Sequence, residues 1–368
     1  MCVKVKVKKG DGSNLDETTS VTTTNLFLSS LFSQVELSLN DCLVSSSSGN
    51  SYPYHAILET LLNFGHNAKN NQQQASGFFK DDSLAMNDVT VGGQKLRTAL
   101  IKESRTWDLS GKLHCDLFNQ PLYIINGLDL RLKMTRTSEQ FYLLTSDANA
   151  SFITKIIDVS LSVRRVTPTN TTLIVHSKLL QTTNVKYRIK RTEVKVFTIP
   201  QGNAQQTIEN AMIGIRPKRV TLRMVKNSSF LGNYKKNPFA FEHNTLNYLA
   251  VQLDNQTYPS PPYQPNFETL KIAREHHRLF SNMGRFDRDS DIDITSTDFA
   301  GGYAIFPIDP TPNFNASDPN YFSLVKSSSI QIDIRFAHTL TTSTNLIVLA
   351  EYESIIEVDR MRQVHKSF

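Results

Sequence analysis

Four aspartates at alternate positions, Asp287, Asp289, Asp291 and Asp293 in DRDSDID, have the spacing with which a calcium loop begins. Carboxylates on every second residue of a turn can converge on one hard cation. An EF-hand, however, needs glycine at its sixth position, where Ile292 stands, and glutamate at its twelfth, where Asp298 stands. The full pattern is excluded, and the run reads as a solvated acidic loop, with an irregular calcium site as the rival reading.

His276 and His277 are adjacent on a stretch with helical spacing. Neighbouring residues diverge by about 100° around a helix, so they cannot share a metal as an i, i+4 pair does. The pattern places His277 against the core and His276 toward water. There is no GxSxG, P-loop or HExxH, and Gly92-Gly93-Gln94-Lys95 lacks the remaining glycine spacing of a phosphate loop. Cys2, Cys42 and Cys115 form no CxxC and no Cys/His group, which argues against a disulfide framework or a zinc site and for a reducing compartment. Trp107, the single tryptophan, reads as a strand-packing residue rather than a sugar platform. No catalytic, cofactor-binding or metal-binding residue is assigned.

Charge offers one more chemistry. Asn184 to Lys236 holds twelve Lys and Arg residues against Glu193 and Glu209, a net +10 in a chain whose total is +6. A surface collecting that charge would attract polyphosphate in a salt-dependent way, including nonspecific contact with genomic DNA. The competing reading is a set of strand edges kept apart by lysine.

The elements that would position these residues are mostly strands. Val3, Val5 and Val7 alternate with Lys4, Lys6 and Lys8, and Val35, Leu37 and Leu39 with Glu36 and Ser38. Leu128 to Met134, Val159 to Val163 and Ile330 to Phe336 alternate in the same way. Period-two patterning separated by turn residues such as Asn40-Asp41 indicates an all-β sandwich. Helical spacing covers YPYHAILETLLNFG, with Ile57, Leu58, Leu61 and Leu62 on one face. It also covers Asn266 to Gly284 and, more weakly, Thr169–Gln181.

The two halves end alike: an alternating strand, a loop, then a strand finishing in basic residues. We therefore expect two consecutive antiparallel jelly-roll β-sandwiches with a few short helices in connecting loops. The first covers 1–167, a helical connector covers 168–190, and the second covers 191–368, with the apolar interior divided between them. The opening Val-Lys alternation is not a signal peptide, and no run approaches the roughly 18 apolar residues of a membrane span. Asn-x-Ser/Thr triplets at Asn149, Asn170, Asn227, Asn255 and Asn315 then reflect loop composition.

NLFLSSLFSQVELSLND followed by NSYPYHAILETLLNFG closely resembles the major capsid protein of Polinton/Maverick elements and adintoviruses. Further matching blocks are SRTWDLSGKLHCDLFNQPLYIINGLDLRLKMTR, TIPQGNAQQTIENAMIGIRPKRV, FLGNYKKNPFAFEHNTLNYLAVQLDNQ and LIVLAEYESIIEVDRMRQV, in family order over nearly the whole chain. The resemblance implies a hexon-like double jelly roll and a homotrimer of pseudo-sixfold outline. Such trimers would tile an icosahedral shell around double-stranded DNA beside a penton protein. It also implies a virion protein made in the cytoplasm or nucleus and not secreted. The family has a strand and loop ahead of the part resembling CVKVKVKKGDGSNLD, so the first sandwich is expected to lack its opening strand, as in a truncated or genome-resident copy.

Phe78-Phe79 and Phe230-Leu231 are candidate contact loops between subunits, with core packing as the alternative. A non-catalytic carbohydrate-binding sandwich and a cupin-like enzyme are the rival readings. The first needs an exposed aromatic platform and the second a compact His/Glu set, and neither is visible.

Overall fold

The computed structural model describes every residue except 46–48, 50, 148–150, 290–291, 319–325 and 368. Asp291 of the aspartate run and Asn149 of the first Asn-x-Ser triplet lie outside the described residues. The earlier part of the chain carries strands β1 (Cys2–Lys9), β2 (Val21–Thr23), β3 (Phe32–Leu39), β4 (Cys42–Ser45), β5 (Trp107–Ser110), β6 (Leu130–Arg136), β7 (Leu143–Thr145) and β8 (Phe152–Ser160). The later part carries β9 (Val185–Ile199), β10 (Gln205–Ile215), β11 (Arg219–Lys226), β12 (Leu246–Leu253), β13 (Gln256–Tyr263), β14 (Ile305–Ile308), β15 (Ser327–Phe336), β16 (Thr344–Val358) and β17 (Val364–Ser367).

The alternation does what its period requires. Val3, Val5 and Val7 are buried while Lys4 is exposed, and Val35, Leu37 and Leu39 point into the core from β3. Asn40 and Asp41 both take positive φ, 44° and 65°, which turns β3 tightly into β4. In β15, Ile330, Ile332, Ile334 and Phe336 are likewise buried.

β9 to β16 form two four-stranded antiparallel sheets, ordered β9-β16-β11-β14 and β10-β15-β12-β13, with β17 added to the far end of β16. Most connections cross from one sheet to the other, the wrapping of a jelly roll. The earlier strands repeat part of this plan. The set β8-β1-β5 matches β16-β11-β14, and β6-β3-β4 matches β15-β12-β13, with β7-β2 carrying the β6-β3 ladder onward. Among the described residues nothing in the first half matches β9 or β10, and the outer edges of β8 and β6 pair with no described strand.

That open flank explains a failed alternation. Val159, Leu161 and Val163 were expected to face a core, yet all three are exposed, as are Ile153, Ile157 and Val166. No described strand covers them in the way β9 lies beside β16.

The helices follow their patterns with one exception. Ser51–Asn63 buries Ile57, Leu58, Leu61 and Leu62, and Asn170–Leu180 is capped by Thr169, whose Oγ1 accepts from the Thr172 N–H. The third helix is only Ala273–Ser281. Before it, Asn266 and Lys271 form an isolated bridge, and Leu270 is exposed with φ 54°. The later start rotates the buried face onto Ile272, Glu275 and Leu279. His277 is therefore exposed against Phe286, while His276 is half-buried with Nε2 at 2.9 Å from the Ile294 carbonyl, the reverse of the expectation.

Hydrogen-bonded sheets keep to their own half, but the apolar interior does not. Buried side chains from both halves join in one continuous cluster, so the expected division of the interior is corrected. β9 also runs without a break through residues 190 and 191.

Candidate functional site, the seam between the halves

An aromatic group makes the interior continuous. Tyr54, fully buried on the Ser51–Asn63 helix, stacks on Phe230 at 5.5 Å and meets Phe141 and Phe239 edge-on at 6.0 and 5.7 Å. Phe141 in turn meets Phe239 at 6.0 Å. Each such pair contributes about 0.5–1.5 kcal/mol beyond its buried area. Phe230 therefore belongs to the seam and Phe78 to the core, whereas Leu231 remains exposed. Of the two candidate contact loops, only Leu231 offers a fully exposed apolar side chain.

Arg223 lies in this group, its guanidinium 5.3 Å from the Tyr54 ring and 5.0 Å from the Phe241 ring. Nη2 donates to the Tyr54 carbonyl at 3.3 Å, while Nε and Nη1 have no partner. Burial pushes Arg223 down to about 9. Cation–π attraction offsets part of the cost of holding this charge away from water.

A second tie is polar. Arg97, fully buried on the Gly92–Ile101 helix, donates to Asp81 at 2.6 Å and to the Thr23 and Phe79 carbonyls at 2.8 and 2.7 Å. The other Asp81 oxygen accepts from Asn237 at 3.1 Å, and Tyr303 Oη donates to the Asp81 carbonyl at 3.0 Å. Burial raises the Asp81 carboxyl despite Arg97. Gly93 is required here, because a Cβ would lie 2.2 Å from the Phe79 oxygen that Arg97 uses.

A third group gathers ionisable side chains. Glu59 contacts His114 at 2.8 Å, Lys112 at 3.3 Å and His55 at 3.9 Å. Burial would raise Glu59, but the His114 hydrogen bond and the nearby cations outweigh it and leave it below the usual range. Asp116 accepts from the Thr192 N–H at 3.0 Å across the seam, and burial pushes it up to about 7. Glu351 binds Lys190 at 2.7 Å and Arg219 at 3.2 Å. Burial pushes His55 down to about 4.

This arrangement joins elements of the two halves. Cys115 follows His114, but burial pushes its thiol up to about 12, opposite to what a thiolate nucleophile needs. All three cysteines are free. Trp107 is buried and stacked on Phe27 at 5.3 Å, so it presents no platform.

The described members of the aspartate run do not converge. Asp287 and Asp289 are exposed, while Asp293 contacts His66 at 3.0 Å and Lys80 at 3.7 Å. Asp298 closes a capping box with Thr295. Among the described residues no group of three or more His, Cys, Asp or Glu side chains is placed to hold a metal ion.

Much of the basic segment is committed to facing acids. Across the β9–β16 ladder Lys186 meets Glu357 at 3.1 Å and Lys190 meets Glu351, while Lys218 meets Glu353 at 2.6 Å. Lys226 pairs with Glu242 at 2.8 Å, Arg216 approaches Asp254 at 3.9 Å, and Arg223 is interior. The counter-charges lie outside the segment, on β16 more than a hundred residues downstream and at Glu242 and Asp254, so a count confined to 184–236 overstates the surface charge.

Apart from Phe230, the residues of the seam's aromatic and polar ties were not singled out in the sequence. The one local signal was RVTLRMVK, a strand buried on both faces that nonetheless carries Arg219 and Arg223.

The fold is a double jelly roll. Its whole length superposes on the structure of the Sputnik virophage with a TM-score of 0.57 at 11% identity, covering 80% of that chain. It superposes on PBCV-1 VP54, fitted into a reconstruction of Sputnik, with a TM-score of 0.55 at 10% identity, covering 89% of that chain. A quasi-atomic model of the PBCV-1 virus capsid gives 0.55 at 9% identity, again over the whole of this chain and 89% of the other. No family model matches the sequence. A Caenorhabditis elegans protein, described as uncharacterized protein F54H12.2, is 24% identical over 339 residues, which are 90% of this chain and 78% of that one.

Proposed function

We propose that the chain is a structural virion protein, a hexon-like major capsid subunit with no active site, forming pseudo-hexameric homotrimers that tile an icosahedral shell. The observation that carries this reading is the repeated sheet order. One chain holds two jelly-roll plans, joined by the seam, and superposes over its whole length on capsid chains of Sputnik and PBCV-1. Division into units 1–167 and 191–368 around a connector at 168–190 fits that reading, with the second unit's first strand reaching back to Val185.

A capsomer also needs apolar surface to bury against its neighbours. Among the described residues, nine of the 22 exposed large hydrophobic ones fall between Ile153 and Leu179, including Val163, Val166, Ile174 and Val175. That concentration supports subunit contacts along β8 and the Asn170–Leu180 helix. Assembly with a penton and location in the virion follow from the same reading. No helix among the described residues is long and apolar enough to cross a membrane.

Electron microscopy of the purified chain tests the proposal. Particles of pseudo-sixfold outline, or curved sheets of them, are expected. Isolated single-chain particles that bind immobilised glycans would instead favour the carbohydrate-binding sandwich.

A further inference from the structure

Three Ser/Thr-Pro pairs occur in the chain, beginning at Thr167, Ser260 and Thr311, and the fold treats them differently. Thr311 is buried, and its hydroxyl donates to Asp309 at 2.5 Å. Ser260 lies within β13, which is paired along β12. Thr167 belongs instead to the stretch between β8 and the Asn170–Leu180 helix. Every residue from Leu161 to Thr167 is exposed. Among the described residues, Leu161 to Pro168 forms neither helix nor strand and makes no backbone hydrogen bond.

That state is what a protein kinase requires of its substrate. The cleft takes the hydroxyl-bearing residue and its neighbours in extended form, so a segment without ladder or helix bonds enters with no local unfolding. Pro168 adds two conditions. It keeps Thr167 out of the helical region of backbone conformation. It also removes the N–H that follows Thr167, so the segment suits only an enzyme whose cleft needs no donor at that position. Those conditions select a proline-directed kinase.

We propose that Thr167 is phosphorylated by a proline-directed protein kinase, and that the phosphate blocks subunit contact along β8 and the Asn170–Leu180 helix. The Thr167 hydroxyl oxygen attacks the γ-phosphorus of ATP, and the new O–P bond forms as the bond to the β,γ-bridging oxygen breaks. ADP leaves with that electron pair, and the hydroxyl proton passes to a carboxylate of the kinase. The phosphate adds a charge of about −1.5 to −2 two residues after Arg165, offsetting the exposed Arg164-Arg165 pair. It also stands amid exposed Val163, Val166, Ile174 and Val175. A strongly hydrated dianion there raises the cost of burying this surface against a second copy. The site itself needs only the folded chain, whereas its effect on assembly rests on the subunit-contact reading above.

Incubating the purified chain with magnesium ATP and a cyclin-dependent kinase, followed by peptide mapping in a mass spectrometer, tests the site. Thr167 should take up about one phosphate per chain, about tenfold or more faster than Ser260 or Thr311, whose surroundings must first open. Sedimentation then tests the consequence. The phosphorylated chain and Thr167→Glu should each self-associate about tenfold or more weakly than the unmodified chain, and Thr167→Val within about twofold of it. Circular dichroism establishes that each variant is folded. Labelling of Thr167 no faster than of Ser260 or Thr311 would overturn the site. Thr167→Glu associating as tightly as the unmodified chain would overturn the blocking effect and leave the shell reading intact. An unmodified chain that stays monomeric would overturn the blocking effect together with the shell reading, while labelling at Thr167 would still uphold the site.

Discussion

Replacing Arg97 by methionine removes one partner of an ion pair shut away from water at the junction of the halves. Arg97 and Asp81 are 0% and 3% exposed, and Nη2 lies 2.6 Å from Oδ1. Breaking such a pair by removing one member costs about 3–5 kcal/mol, because the remaining charge is left buried. The Thr23 and Phe79 carbonyls lose their donors in the same step. In a chain of this size the thermal midpoint should fall by about 4–6 °C.

The pH dependence adds a sharper signature. Without Arg97 the Asp81 carboxyl, already raised by burial, rises further in the folded state. A raised carboxyl binds more protons folded than unfolded, so stability falls as pH increases from its unfolded to its folded pKa, by about 1.4 kcal/mol per unit. The Arg97→Met deficit should therefore be smaller at pH 5 than at pH 8. Adding Asp81→Asn removes the orphaned charge and keeps an acceptor for Asn237, so the double variant should recover about 2 kcal/mol at pH 8. Urea unfolding followed by tryptophan fluorescence at the two pH values measures all three effects. A single-variant loss below about 1 kcal/mol, or a double variant no more stable than the single one, would refute the reasoning.

Arg223→Met should be neutral or stabilising by up to about 2 kcal/mol, since a buried cation with two unpartnered nitrogens gives way to an apolar side chain of similar reach; thermal unfolding reads the sign. Asp116, pushed up to about 7, stays protonated on folding above the pH at which the unfolded carboxyl ionises, so it contributes a fall in stability between about pH 4 and 7. Asp116→Asn should flatten that fall, measured as unfolding midpoint against pH. Duplex DNA should bind weakly, with a salt slope equivalent to fewer than about three phosphates, because Lys186, Lys190 and Lys218 of the 184–236 segment already face Glu357, Glu351 and Glu353; fluorescence anisotropy across a salt series measures it.

Strand content was legible because burial on one face writes a period of two into the chain. Val3 to Val7, Val35 to Leu39 and Ile330 to Phe336 pack as that pattern requires. The same rule misled at Val159 to Val163, where the alternation is present but no described strand covers it. Periodicity reports which face is apolar, not whether a partner covers it. The His276 and His277 faces were exchanged because apolar spacing from Phe267 onward resembled a helix that begins only at Ala273. A shift in start rotates every later side chain.

The seam was illegible for a different reason. Asp81, Arg97, Asn237 and Tyr303 are up to 222 residues apart and come from both halves of the chain. Tyr54 and Arg223 are 169 residues apart, and nothing local to either announces the other. The +10 of the basic segment was a correct count with its partners out of view, because strand pairing delivers the neutralising acids from β16.

The central claim is that this double jelly roll is a tile for a closed shell, and its solution mass tests that most directly. Light scattering at micromolar concentration should give about three times the 41.6 kDa of one chain, or larger assemblies built from that unit. A homogeneous, well-behaved 41.6 kDa monomer across that range would contradict it.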